Sequence, residues 1–470
     1  MTTNGNPWRR RAFLQSLAGS VLTAGLSASQ RLYAATESSD QFLAGQAIVD
    51  ITPPVGIEMG GFHRTPGNER RIQGIRQPTE ARALVLRRGE WEAAILSLDL
   101  AAVSAEAARR IQERVQQQTG ILAGNVRVSV THTHSMPAFC YLRQWGAIPL
   151  EFAAAVEQKA VEAVQRAQAD LAPASLAIGK SRAVGGNFNR TTKDFRTDEQ
   201  FDDQARDDRR WLDTQVHVLH FERAAGKGSL LWYHFSAHPV CYADEQAGPD
   251  WPGIVAAKLR EKHALTAAYL QGHAGDVNPG DGDPWRGDAD KTAAAVYQAV
   301  EQAWAARRPV DTSLLHCQSV SFGLPLNLNL FKQWLERYGQ DPSQCTTGEW
   351  VDSGFAQDWY QANVRRDVTS PVLPISLSIL RIGDLALVFH PSELYSYYGL
   401  SIQRGSPLAH TIVVGYTDGI VGYLTDPAAY VSNEYAATVV PKILDFPPFA
   451  SDAAQQMSAE LGRLIQQTVA

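Results

Sequence analysis

The sequence predicts an α/β fold in which mixed β-sheets are flanked by helices, all within a single large catalytic domain. Three observations predict it. Compact apolar runs of strand length, such as residues 81–86, 93–98 and 266–271, alternate with segments whose apolar residues follow the helical period. Beyond the first 35 of the 470 residues, no repeat, linker or low-complexity stretch divides the chain. A hydrophobic fraction of 44% beside 20% charged residues is that of a globular chain long enough to bury a sizeable core.

Residues 1–35 read as an export signal, which leaves 41–470 as the domain. Arg9, Arg10 and Arg11 precede Phe13 and Leu14, and a run of small, modestly apolar residues follows over 16–28. The pattern resembles a twin-arginine signal, and the run is too short and too rich in Gly and Ser to span a bilayer. A periplasmic or secreted location is expected, with no transmembrane segment in the mature chain and contact with a membrane surface left open. Twin-arginine signals carry proteins already folded, which suits a metal loaded before export. Cys140, Cys241, Cys317 and Cys345 are widely spaced, which leaves one or two disulfides open and makes thiolate-held zinc a poor expectation. A net charge of −6 without a basic stripe excludes nucleic acid as the expected partner.

Each element has its own signal. A strand over 46–51 is stopped by Pro53 and Pro54, and Gly60-Gly61 marks the next turn. The runs 81–86 and 93–98 are buried strands, with Asp99 at the end of the second. Helical spacing over 104–118 leads to Gly120, and a second helix is expected over 151–171. Residues 213–221 and 229–235 make a hairpin around Ala-Gly-Lys-Gly. Asp250 caps a helix to about 263, with Pro252 in its first turn. A strand over 266–271 and a helix over 288–307 follow. The polar, tryptophan-bearing stretch 325–369 reads as helical without strands, either an outer layer or a cover over the site; strands resume at 372–380 and 385–389, and an amphipathic helix over 452–469 closes the chain.

The chemistry gathers where strands end. Val126, Val128 and Val130 share one strand face, and continuing the period of two places His132 and His134 on that face. Three further loops follow apolar strands: His234 to His238, the turn-rich stretch with His273, Asp276 and Asn278, and His390 to Glu393. Catalytic zinc takes histidines plus a carboxylate and keeps one position for water, and His132, His238 and Glu393 could supply that set.

Thr131-His132-Thr133-His134-Ser135 resembles the Thr-His-Thr-His-Ser motif of the neutral, alkaline, non-lysosomal ceramidase family, zinc amidases that cleave the N-acyl bond of ceramide. The resemblance runs in family order through Asp50-Ile-Thr-Pro-Pro, Ser97-Leu-Asp99, Asn189-Arg190, Ala237-His238-Pro, Asp250-Trp-Pro-Gly, Gly275-Asp276-Val-Asn-Pro and Gly422-Tyr423 with Tyr435. It implies one zinc per chain on His132, His238, Glu393 and Tyr423, with His134 facing the amide and Arg190 and Tyr435 lining the reacting centre. It further implies hydrolysis of an N-acyl, lipid-like substrate by metal-activated water. Asp99 could orient an imidazole, cap the following helix or bond loop amides, and Asp276 could orient an imidazole or brace its Gly-rich loop. Two departures count against ceramide itself and leave the substrate open. Asn278 stands where the family carries serine, and it can donate to an oxyanion but cannot act as a nucleophile. The chain also ends soon after the region of resemblance, where typical members continue into a C-terminal β-sandwich. The alternatives are a metal-dependent esterase or lactonase, a phosphoesterase, and a metal-binding relative without catalysis. Binuclear phosphoesterases share a His-Thr-His ending, but their Asp-x-His and Gly-Asn-His segments are missing here.

Overall fold

Leu84 and Val85 point to opposite faces of one strand, and each meets an apolar core. In the computed structural model, which describes residues 40–469 apart from 225 and 347, Leu84 and Leu86 join one buried cluster while Ala83 and Val85 join another. The next strand divides the same way, Ala93 and Ile95 against Ala94 and Leu96. Strands covered on both faces read as continuous apolar runs, the pattern seen in the sequence.

These strands belong to a mixed sheet of nine. Its order runs Thr266–Gln271, Leu230–Phe235, Gln215–Arg223, Ala172–Arg182, Leu43–Asp50, Glu80–Arg88, Trp91–Leu98, Val126–Val130, with Arg308–Val310 pairing to Ala172–Arg182. A second sheet of four orders Leu315–Pro325, Val372–Ile382, Leu385–Phe389 and His410–Val414. The two meet face to face, because one core cluster draws Leu84, Ile95, Phe221 and Trp232 from the first and Leu380, Leu387, Phe389 and Ile412 from the second. Helices cover the outer faces. Leu150–Ala169 packs on Leu43–Asp50 and Glu80–Arg88, Ala289–Ala305 on Ala172–Arg182 and Gln215–Arg223, and Ala453–Val469 on the second sheet. Fully burying each Leu, Val or Phe at such an interface contributes about 1.5–3 kcal/mol.

Local signals set the helix ends. Ser104 accepts from the backbone of Ala107 at the start of Ala105–Thr119, and Gly120, at φ 81°, closes it. Asp250 accepts from the backbone of Trp251 and heads Trp251–His263. Residues 325–369 form helices Leu328–Gln340 and Ser353–Asn363 with a small core of their own, Phe331, Trp334, Cys345, Trp350 and Trp359. No described helix is long and apolar enough to cross a membrane. All four cysteines are free thiols. The expected export signal lies outside the described residues.

Three parallel strand pairs fix where the site lies. Trp91–Leu98 runs parallel to Val126–Val130, Leu230–Phe235 to Thr266–Gln271, and Leu385–Phe389 to His410–Val414. Their C-terminal ends release the histidine, asparagine, glutamate and tyrosine loops together, the usual position for functional groups in α/β sheets.

Candidate metal centre and active site

His132 does not continue the strand that leads to it. Regular pairing stops at Val130, and His132 adopts φ 62°, a left-handed turn unusual for a residue with a side chain. The turn, rather than strand alternation, brings the two rings together, with His132 Nε2 and His134 Nε2 3.2 Å apart. Gly61 makes room for this: at φ 95°, any Cβ it carried would sit 2.5 Å from His134 Cβ.

His238 and Glu393 complete the cluster. Glu393 Oε2 lies 3.1 Å from His238 Nε2 and 3.5 Å from His132 Nε2. Nitrogen atoms of His132, His134 and His238 all fall within 4.8 Å of one another. Glu393 in turn sits beside Tyr423 because residues 393–394 and 423–424 pair as a two-residue parallel ladder. The Tyr423 hydroxyl is 3.4 Å from His238 Nε2 and accepts from Arg190 Nη2 at 2.7 Å.

Backbone carbonyls settle the tautomers. Ala101 O stands 2.6 Å from His132 Nδ1, and Val277 O stands 2.9 Å from His238 Nδ1. A carbonyl only accepts, so both rings carry their proton on Nδ1 and turn an Nε2 lone pair inward. Burial disfavours the charged imidazolium. It brings the His132 pKa down to about 4 despite the nearby Glu393 carboxylate, and holds His134 and His238 well below the ordinary histidine value. At His132 and His238 an Nε2 lone pair therefore faces the Glu393 carboxylate, at 3.5 and 3.1 Å, without a proton to share, an arrangement a divalent cation would stabilise. The donor set of imidazole nitrogen, carboxylate and phenol oxygen fits such an ion.

The remaining expected residues surround this cluster. Arg190 Nη2 also donates to Gly275 O at 2.7 Å, and its Nη1 lies 3.4 Å from Asn278 Oδ1. Burial would weaken the Arg190 charge, but Tyr423 and Glu393 reverse the sign and raise its pKa. Asn278 is buried and donates to Trp285 O at 2.8 Å, which commits one of its two amide protons. The Tyr435 ring stands 6.4 Å from that of Tyr423 and is 47% exposed, so it marks the open side.

Of the roles open to the two carboxylates, both take the structural one. Asp99 orients no imidazole; it accepts from Arg82 at 2.9 Å and from the Glu80 backbone at 2.9 Å. Asp276 accepts from Asn189 at 2.7 Å and from the backbone and hydroxyl of Ser396 at 2.8 Å, so it braces the Asn189 strand against a helix start. Tyr423 lies in the Tyr423–Leu424 strand, and Tyr435 opens the helix Tyr435–Thr438 after the helix Pro427–Val431. Of the other loop histidines, His234 meets Val413 O at 2.8 Å, His273 meets Asp213 at 2.9 Å and His390 meets Ser392 at 2.9 Å, all outside the cluster.

Sequence reasoning missed Tyr416 and Arg70. Tyr416 lies 4.5 Å from His132, ring to ring, with its hydroxyl 3.5 Å from Glu393 Oε2. Its signal was available, since Gly415-Tyr416-Thr417-Asp418 follows an apolar strand as the other site loops do. Arg70 is buried behind His134 and donates to its carbonyl at 2.9 Å.

Comparison with known proteins agrees. The family profile for neutral/alkaline non-lysosomal ceramidase, N-terminal, matches residues 42–317, more than half of the chain. Neutral ceramidase of Mycobacterium tuberculosis is 24% identical over 83% of this chain and 72% of its own length. Neutral ceramidase of Pseudomonas aeruginosa is 24% identical over 66% of this chain and 55% of its own length. The crystal structure of the latter superposes with a TM-score of 0.68 over 90% of this chain and 74% of that chain, at 20% identity. A ceramidase complexed with C2 gives 0.65 over 91% and 76%, at 19% identity. With the profile match spanning the histidine loops and the fold shared nearly end to end, this chain belongs to the neutral/alkaline non-lysosomal ceramidase family.

Proposed function

We propose that the protein is an exported, zinc-dependent amidase that hydrolyses an N-acyl bond, with zinc held by His132, His238, Glu393 and Tyr423. The observation that carries this reading is the buried meeting of His132 and His238 with Glu393, where two Nε2 lone pairs face a carboxylate without a proton between them and His134 stands alongside. A zinc ion bound there supplies Lewis acidity and lowers the pKa of water from 15.7 towards about 7.

The chain's own residues carry the rest. His134, with its Nδ1 unpartnered, takes the proton released by the attacking water and returns it to the departing nitrogen. Phe62 and Trp145, with ring centres 5.4 and 5.5 Å from His134, wall the leaving-group side and limit bulk water. Arg190, a fixed cation, together with Tyr435 and the uncommitted amide proton of Asn278, faces the oxygen on which charge develops. Removing one such donor typically costs about a hundredfold or more in rate. The twin-arginine reading of residues 1–35 puts this activity in the periplasm or outside the cell.

The test is metal analysis of the purified protein together with a screen of amides, esters, lactones and phosphodiesters. About one zinc per chain, turnover of N-acyl substrates and loss of both in His132→Ala are expected. Zinc-loaded protein inert towards the whole panel would end the hydrolase reading, and turnover of phosphodiesters alone would move it to another class.

A further inference from the structure

Two guanidinium groups share one phenyl ring beside His134. Arg70 Cζ lies 4.8 Å from the centre of Phe62 and Arg286 Cζ lies 5.8 Å from it, while the ring meets His134 edge-on at 5.4 Å. Like charges this close repel unless an anion answers them.

No described carboxylate forms an ion pair with either guanidinium, although Asp244 and Glu245 offset part of the Arg70 charge from longer range. Arg70 is 3% exposed, and its terminal nitrogens donate to the neutral carbonyls of Gly60, His134 and Asp244. Its Nε has no partner at all. The neighbouring carboxylates are engaged elsewhere: Asp244 pairs with Arg76, Asp281 accepts from the backbone of Asp283, and Asp288 caps the helix that follows it. Asp283 and Glu245 make no ion pair with either arginine among the described residues, although Glu245 acts on Arg70 from longer range. Burial pulls the Arg70 pKa down to about 10, with repulsion from Arg64 and Arg286 adding to it and Asp244 and Glu245 opposing.

The corner reaches solvent through Trp285 and Arg286. Arg286 is exposed, and its neighbour Trp285, 56% exposed, offers the carbonyl that holds Asn278. Phe62 therefore separates a reacting centre from a pair of cations by the width of one ring.

We infer that Arg286, backed by the buried charge of Arg70, binds a carboxylate carried by the amine portion of the substrate, so that the substrate class is N-acyl amino acids rather than N-acyl amino alcohols. The inference rests on the amidase reading, because His134 serves the departing nitrogen and Phe62 lies directly beyond it. Guanidinium is the side chain best shaped for a carboxylate. In the reaction, water adds to the acyl carbon and the carbon–nitrogen bond breaks. The acyl part leaves as a carboxylic acid, and the proton goes to the nitrogen of the freed amino acid.

Binding to the zinc-loaded full chain tests this with a matched pair that cannot be hydrolysed, dodecylthioacetate and 2-(dodecylthio)ethanol. The carboxylate is expected to bind about tenfold more tightly at low salt, and the preference should shrink as salt screens the exposed Arg286. Arg286→Ala should reduce the preference to about twofold or less, whereas Arg463→Ala, on the distant C-terminal helix, should keep it. Equal binding in the wild type overturns the inference. So does a preference that survives Arg286→Ala, which would place the carboxylate at the metal centre. Turnover of N-lauroylglycine and N-lauroylethanolamine is measured separately. A carboxylate preference lost in Arg286→Ala with neither amide cleaved supports the anion corner and removes the amidase reading.

Discussion

Arg190 donates to the hydroxyl of Tyr423 at 2.7 Å, and that hydroxyl lies 3.4 Å from His238 Nε2. One side chain thus faces a fixed cation and the imidazole cluster at once. Burial and the Glu393 charge raise the Tyr423 pKa well above its ordinary value, with Arg190 pulling the other way. Tyr423→Phe removes the oxygen and keeps the ring. It should lower zinc affinity by about 10–100-fold while leaving the unfolding midpoint of the metal-free protein close to wild type. Competition against a chelator measures the first and thermal denaturation the second; unchanged affinity would remove Tyr423 from the ligand set.

Gly61→Ala attacks the same site from behind. The new methyl group would lie 2.5 Å from His134 Cβ at a backbone angle of 95°, so both contact and conformation oppose it. A cost of about 1–3 kcal/mol in unfolding free energy is expected, with a larger fractional loss in turnover than in zinc content. Parallel stability and metal measurements separate the two; a variant with full activity would show that His134 has no dependence on this turn.

Acid should weaken the fold through histidines that never touch the cluster. Burial brings His234 to about 4 and His390 to about 3, with His273 a lesser cause for each. The unfolded chain, near 6.5, binds more protons than the folded one between those values, so stability is present above about pH 6.5 and falls as pH drops towards 4. Between pH 7 and 5 each ring should cost about 2 kcal/mol. Denaturant unfolding of the metal-free protein at the two pH values gives the slope, and His390→Gln should flatten it.

Lys442 offers a different test. It is fully buried, with Nζ 3.7 Å from the Trp334 ring centre, 4.3 Å from that of Trp350, and donating to Glu349 O at 3.0 Å. Burial lowers its pKa to about 7, with Glu349 the main opposing charge. Lys442→Met fills similar volume but strands the carbonyls and loses both ring contacts, an expected cost of about 2–4 kcal/mol. Equilibrium unfolding reads it directly.

Local order was legible in the sequence wherever adjacent residues decide it. Ser104 and Gly120 bracket their helix, Asp250 heads another, and the alternating Leu84 and Val85 already imply a strand covered on both faces. The loops with His132, His238 and Glu393 were recognisable because apolar strands delivered ligand-type residues at their ends. What spacing could not carry was pairing between distant segments. Asp99 meets Arg82 across adjacent strands, which no local pattern encodes, and so orienting a histidine and bracing the fold both stood open for it. His132 read as continuing a strand because its left-handed turn has no signature in residue type. Arg70 carries no local signal, because only folding buries it against Phe62.

The short ladder between Glu393 and Tyr423 gives the centre an architectural consequence. The histidines hang from the nine-stranded sheet, while Glu393 and Tyr423 hang from the segments that follow strands of the four-stranded one. An ion gripped by both groups acts as a rivet through the sandwich, and its binding free energy adds to the cohesion of the two layers. Stripping it should loosen the seam between them, so that amide hydrogens around residues 391–424 exchange faster while the far edge of the large sheet keeps its protection.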